Sequence, residues 1–262
     1  YYFVRVKNWT QEELRKQNED LSQKNQLITE SLHYAERIQN SILPNKKLLQ
    51  SSFEDCFILY HPKDIVSGDF FWIHQTIQFT FFSVIDCTGH GVPGAMMSFI
   101  GENGLRHAVL SGNADDPAQI LNYLNEYVED ILSSENYMDG MDIAMCKYDH
   151  SNQHLFFSGA NNPMYIIRNK SVEEYKAQKQ PIGRYYRRVP YENTSIRVFP
   201  GDCIYLFSDG YADQFGGLDG KKFKFQAFRE LLLDIHEKPM DTQKSILLNT
   251  LASWKGNIEQ VD

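Results

Sequence analysis

From Asn8 to Leu43 the chain contains neither glycine nor proline, and this constrains the fold more than any other feature. A polar stretch rich in Glu, Gln, Asn and Lys with no turn residue favours one long helix over loop, and such a helix cannot close on itself into a core. Within it Leu14, Leu21, Ile28, Ala35 and Ile42 recur every seventh residue, as the d positions of a coiled coil. The matching a positions are Asn18, Asn25, Leu32 and Gln39. An Asn at a weakens a coiled coil but fixes register and favours two parallel strands. Residues 8–48 are therefore expected to form a helical coiled-coil linker that pairs as a parallel homodimer; the competing reading is a solvated helix packed on its own domain. Residues 1–7 (Tyr, Tyr, Phe, Val, Arg, Val, Lys) are expected to end an upstream segment, either as a strand end or as an aromatic belt leading into basic residues on the inner side of a membrane. Opening on Tyr1, the chain reads as part of a longer protein with an upstream sensor domain.

Beyond Pro44 the pattern changes to short runs rich in β-branched and aromatic residues, at 55–60, 77–86, 142–148, 154–158, 164–168, 195–199 and 203–208. Short turns separate many of them: Ser151-Asn152, Asn161-Asn162-Pro163 and Pro200-Gly201-Asp202. Short connections between neighbouring strands predict antiparallel pairing. Helical periodicity appears at 93–110, 117–133, 224–236 and 240–254. The expected class is α+β, with antiparallel sheets covered by helices.

With 42% hydrophobic residues, disorder is excluded for most of the chain. The 34 acidic against 26 basic residues, with no dense basic run, argue against a dominant nucleic-acid backbone binder, which would need a local basic face. The four cysteines, Cys56, Cys87, Cys146 and Cys203, form no CxxC pair and are read as buried, reduced thiols of a cytosolic protein. No run approaches the ~20 apolar residues of a membrane helix. The expected location is cytoplasmic, including the cytoplasmic portion of a membrane-anchored sensor.

Gly89, Gly91 and Gly94 match GxGxxG between a strand and a helix, the pattern of a dinucleotide site. Such a site needs a second parallel strand, and Ala108–Gly112 is too short and too close to the helix to supply it. Asp86, at the end of the preceding strand, would also repel a pyrophosphate. Asp69 opens an aromatic strand, Asp86 ends the next, Asp209 follows the apolar run 203–207, and Asp262 closes the chain. Gathered at one sheet edge, these carboxylates would cost several kcal/mol in repulsion and desolvation unless a divalent cation neutralised them. All-oxygen ligation selects manganese or magnesium, and two such ions suit phosphoryl hydrolysis.

The segments Pro62-Lys63-Asp64-Ile65-Val66-Ser67-Gly68-Asp69, Asp86-Cys87-Thr88-Gly89-His90-Gly91, Ser158-Gly159-Ala160-Asn161-Asn162-Pro163, Pro181-Ile182-Gly183 and Ser208-Asp209-Gly210 resemble, in order, the motifs of PPM-type serine/threonine phosphatases of the bacterial SpoIIE/RsbU-like branch. The resemblance implies a phosphatase domain over 49–262, folded as two antiparallel sheets packed as a sandwich and flanked by helix pairs (α-β-β-α). It implies two divalent cations held by Asp69, Asp86, the main-chain carbonyl of Cys87, Asp209 and Asp262, with metal-bound water attacking the phosphate in line and no protein nucleophile. In that family a closing strand follows the last acid, so a final strand is expected after residue 262. The implied substrate is a phosphorylated signalling protein such as an anti-sigma factor antagonist. A catalytically inert scaffold of the same fold is the competing reading.

Asp139 and Asp142 are candidates for a weak third ion, although turn acids are commoner. Lys63 is a candidate phosphate ligand, against the reading that it forms a solvated pair with Asp64. His90 either protonates a leaving oxygen or hydrogen-bonds its own turn, and the turn is favoured. Met96 and Met97 are expected to pack, and 184–188 to form a solvated basic aromatic loop.

Overall fold

The computed structural model describes residues 2–111, 114–133 and 139–262. By contacts the chain divides into two units, Tyr1–Ser41 and Ile42–Asp262. The first consists of one continuous helix, α1 (Tyr2–Ile42). At 1.5 Å per residue this is a rod about 60 Å long. Leu14, Leu21 and Ile28, three of the expected seam residues, are 57%, 56% and 59% exposed. Intrahelical pairs such as Lys24–Asp20 at 2.7 Å line the rod. Residues 2–7 are helical, so the strand-end reading of this stretch is corrected; good helix formers follow with no turn residue to stop the helix. Tyr1 lies outside the described residues.

The second unit begins with α2 (Lys46–Ser52), whose N-cap Asn45 accepts a hydrogen bond from the Leu48 amide at 3.0 Å. There follow β1 (Phe70–Gln75), β2 (Phe79–Cys87), α3 (Gly91–Leu110), α4 (Pro117–Ile131), β3 (Gly140–Asp149) and β4 (His154–Ala160). Next come β5 (Met164–Arg168), β6 (Ser171–Tyr175), β7 (Ile182–Gly183), β8 (Thr194–Arg197), β9 (Cys203–Leu206) and α5 (Gly210–Asp213). The chain ends with β10 (Phe215–Gly216), β11 (Lys221–Lys222), α6 (Phe225–Ile235) and α7 (Met240–Lys255). All named strand pairings are antiparallel. One sheet has the order β1-β2-β3-β4-β8, with β7 also on β3; another has the order β6-β5-β9; β10 and β11 form a small ribbon.

Period-two alternation sorts side chains between layers. Along β2, Phe81, Ile85 and Cys87 enter a core shared with Leu105 of α3 and Leu121 of α4. The next residue over, Phe82, joins Ala144, Cys146, Leu155 and Phe157 of the same sheet with Ile166 and Ile204 of the other, so the two sheets share a buried cluster. The opposite face of the second sheet, through Tyr165 and Tyr205, packs on Phe228 and Leu232 of α6 and Leu247 of α7. α4 starts as its sequence dictates: Asp116 caps the Gln119 amide at 2.9 Å and Pro117 occupies the first turn.

Several expectations are corrected. Residues 55–60 form no strand; Phe57 and Leu59 pack by their side chains on the α6 cluster, and no neighbouring backbone pairs with them. The turns Asn161-Asn162-Pro163 and Pro200-Gly201-Asp202 join strands of different sheets rather than hairpins, so a short loop here marks a change of layer. Met97 is buried but Met96 is 61% exposed. Cys87, Cys146 and Cys203 are buried free thiols, whereas Cys56 is half-exposed. The strands flanking β2 are both antiparallel to it, which removes the parallel unit a GxGxxG dinucleotide site requires. Among the described residues no helix is long and apolar enough to cross a membrane.

Candidate metal centre

Asp69 immediately precedes β1, and Asp86 lies next to last in β2, so antiparallel pairing of these two strands brings both acids to one sheet end. Asp262 arrives on the extended segment after α7. Carboxylate oxygens of Asp69, Asp86 and Asp262 all lie within 4.8 Å of one another. The Asp209 carboxylate, at the N-terminus of α5, is close enough to raise the pKa of both Asp69 and Asp86. β2–β3 register sets Asp142 directly opposite Asp86, adding a further acid to the same sheet end.

The electrostatics of this gathering are unfavourable without a counter-ion. Burial, then the charges of Asp69, Asp209, Asp262 and Asp142, push the Asp86 carboxyl up to about 9. Burial, followed by repulsion from Asp262 and Asp209, pushes Asp69 up to about 6, even though Ser208 Oγ donates to its Oδ2 at 2.6 Å and favours the charged form. Burial also raises Asp209 and Asp142, the latter despite a 2.8 Å hydrogen bond donated by Asn161 Nδ2 to its Oδ1. Carboxylates kept this close and this dry are the donor set a hard divalent cation neutralises, and the residues fit such an ion.

The loop after Asp86 is built for close backbone approach. A Cβ on Gly68 would stand 2.6 Å from the Gly89 carbonyl and 3.1 Å from the Cys87 carbonyl, so the Cys87 carbonyl lies against the segment carrying Asp69. Gly94 in α3 packs onto the same Gly68 and Gly89 backbone, where a side chain would have no room. Of the glycines in the GxGxxG match, Gly94 serves backbone-on-backbone packing beside the carboxylates, whereas Gly89 and Gly91 take left-handed backbone angles, with φ of +83° and +64°.

Asp139 stands just ahead of β3, with its carbonyl against Gly183, and is not in the group of three mutually close carboxylates. Lys63 is exposed, and its expected partner Asp64 is instead 2.6 Å from His90 Nδ1. His90 is the N-cap of α3 and makes no side-chain cap bond, so the favoured turn role gives way to the Asp64 pair. Arg188 leaves the solvated class, since it bonds the Gly183 carbonyl and approaches Glu129 at 3.3 Å. Two further residues matter here: Ser208 stands in the sequence motif only as the neighbour of Asp209, and Gln214 carries no sequence signal. A cavity of about 1590 Å³ is lined by Asp69, Ser208 and Asp262 together with Phe57, Tyr205 and Leu232.

The family model described as Stage II sporulation protein E (SpoIIE) matches residues 79–262. Among solved structures, the chain is similar to the SiaA-PP2C domain of Pseudomonas aeruginosa, with 33% identity and a TM-score of 0.85 over 91% of this chain and 94% of that one. The RsbU and RsbW domains of a Mycobacterium tuberculosis protein share the fold at 19% identity and a TM-score of 0.59, over 71% of this chain and 51% of that one. So does the PP2C phosphatase domain of SpoIIE from Bacillus subtilis with a fragment of its regulatory domain, at 19% identity and a TM-score of 0.60, over 76% of this chain and 56% of that one. Among curated proteins none matches the chain.

Proposed function

The chain belongs to the PPM-type (PP2C-like) serine/threonine phosphatases of the SpoIIE branch, and on that footing we propose that Asp69, Asp86 and Asp262, with Asp209 and the Cys87 carbonyl, hold two divalent cations for phosphoserine or phosphothreonine hydrolysis. The observation that carries this reading is the approach of three carboxylates to within 4.8 Å in a setting where burial and mutual repulsion hold Asp86 protonated to about 9. Manganese or magnesium, when bound, supplies a water of lowered pKa and offsets the charge that develops on the phosphoryl oxygens.

The chain's own residues do the remainder. Ser208 favours the charged form of Asp69 by a 2.6 Å hydrogen bond, partly offsetting burial and repulsion. Asn161 orients Asp142, which flanks the centre as a candidate ligand of a weaker third ion, with Asp139 as its companion. Asp64 fixes the His90 ring through a 2.6 Å contact to Nδ1, and His90 is the candidate proton donor to the leaving oxygen. Lys63, exposed on the cavity wall, is the candidate contact to phosphate. The cluster shared by the two sheets, with helices on each outer face, supports the four-layer α-β-β-α sandwich. The substrate class is a phosphorylated signalling protein, an anti-sigma factor antagonist by family.

Regulation is read from α1. Exposed Leu14, Leu21 and Ile28 at heptad spacing support parallel pairing of two copies through residues 8–48, so that an upstream sensor changes register and thereby activity. A differential of a few kcal/mol between two pairing states suffices. Two experiments test the proposal. Phosphate release from a phosphoserine peptide should require manganese and be abolished in Asp86→Asn and Asp209→Asn; turnover surviving in either variant would overturn the site assignment. Leu21→Asn with Ile28→Asn should convert dimer to monomer by light scattering, and an unchanged mass would remove the linker mechanism.

A further inference from the structure

Residues 257–262 have no helix or strand, yet their last side chain meets Asp69 and Asp86. The Glu259 carbonyl and the Val261 amide both bond to a single side chain. Gln214 Nε2 donates to the Glu259 carbonyl at 3.0 Å, and Gln214 Oε1 accepts from the Val261 amide at 3.1 Å. A carboxamide that bonds the C=O of one residue and the N–H of the residue two on reproduces what a neighbouring strand offers along one edge.

Gln214 itself is 1% exposed and fully engaged. Its second Nε2 proton goes to the Phe215 carbonyl at 2.9 Å, and its own carbonyl accepts from Trp254 Nε1 at 3.0 Å and from the Phe223 amide at 3.0 Å. The ribbon that follows Gln214 is tied to α7 as well, since the Gly217 amide donates to the Trp254 carbonyl at 2.8 Å. On its other side Gln214 directly follows α5, the short helix that Asp209 caps. One stretch, Asp209 to Gln214, therefore presents an acid at its start and fixes the backbone carrying another acid at its end. Gln260 adds a lesser tie, donating to the His61 and Asp262 carbonyls at 2.6 Å each.

We infer that Gln214 is a positioning residue of the metal centre, its carboxamide holding the backbone of residues 259 and 261 so that Asp262 is set against Asp69 and Asp86. The inference rests on the reading of Asp262 as a metal ligand. Losing the two bonds to the tail frees Asp262 and weakens the ion it helps hold, by about tenfold in affinity for hydrogen bonds of ordinary net worth.

The test is calorimetric titration of manganese into the metal-stripped protein, with urea unfolding in EDTA alongside. Gln214→Met, close in shape and without the amide, is expected to bind manganese about tenfold more weakly. Gln214→Glu, which keeps an acceptor for the Val261 amide, should fall between it and the wild type, and it serves if the Met variant does not fold. Gln243→Met is the comparator: Gln243 is equally buried and bonded, to Tyr205 and to the His236 and Lys238 carbonyls, but away from the acids. It should lose stability and keep wild-type manganese affinity. In an Asp262→Asn background, Gln214→Met should weaken binding no further. Wild-type affinity in Gln214→Met and Gln214→Glu, or a loss that persists undiminished in the Asp262→Asn background, would overturn the inference. Failure of the underlying reading shows separately, as an Asp262→Asn single variant that binds manganese like the wild type.

Discussion

Asp86→Asn isolates the electrostatics of the centre from turnover. In the folded protein without a cation, burial and then the charges of Asp69, Asp209, Asp262 and Asp142 push this carboxyl up to about 9. In the unfolded chain it titrates near the ordinary aspartate value of about 3.9. The fold therefore retains a proton that the unfolded chain has released. Stability from this group is fully present below about pH 4 and is lost as pH rises through about 9. One such proton corresponds to about 1.4 kcal/mol per pH unit, and sharing it with Asp69 reduces the expectation to on the order of 1 kcal/mol per unit. Asparagine has nearly the same shape and no charge to repel, so the variant lacks the slope. Urea unfolding in EDTA between about pH 5 and about pH 8 should show the variant gaining on the wild type at that rate. Saturating manganese should reverse the order, since an ion that binds only the native wild-type site adds stability by mass action. A stability difference that stays flat across this pH range in EDTA would refute the burial-and-repulsion argument.

Gly94→Ala should abolish manganese binding in calorimetry, because the new methyl meets the Gly89 carbonyl and the Gly68 backbone, with no flexible side chain to yield. Ser208→Ala removes the hydrogen bond that favours charged Asp69, so manganese affinity should drop several-fold near pH 6 and recover as pH rises, read by titration at both pH values. Leu232→Ala, deep in the α6 cluster at 1% exposure, should cost about 2–5 kcal/mol in urea unfolding while leaving the manganese affinity of the folded fraction unchanged.

Much of the fold was legible because its local signals agree. The run 164–168 became β5 with the same bounds, and Asp116-Pro117 marked the start of α4 through a cap and a fixed φ. Where local signals were silent or divided, the sequence misled. β6 carries Glu173 and Glu174 on an edge strand and has no apolar pattern to announce it. The 55–60 run is apolar enough for a strand, but a strand also needs a partner backbone, which composition cannot show. Turn chemistry revealed that the chain reverses at Asn161, where φ is +56°, without revealing that it changes sheets there.

At the site, Asp69, Asp86 and Asp209 are legible as aspartates at strand ends beside glycine or a glycine-rich turn, and the structure gathers Asp69, Asp86 and Asp262, with Asp209 and Asp142 close by. Asp142 owes its place opposite Asp86 to strand register, which depends on the whole β2–β3 pairing. Gln214 was illegible for a different reason: its value lies in holding main-chain groups of residues 259 and 261, far along the sequence, and main-chain partners leave no side-chain signature.

The central claim is that Asp69, Asp86 and Asp262 form a divalent-cation site. Anomalous scattering at the manganese edge, from crystals of the protein grown with manganese, tests it most directly. The account predicts manganese peaks at oxygen-ligand distance, about 2.2 Å, from the Asp69, Asp86 and Asp262 carboxylates. Manganese found elsewhere, with these three carboxylates uncoordinated in protein that hydrolyses phosphoserine, would contradict it.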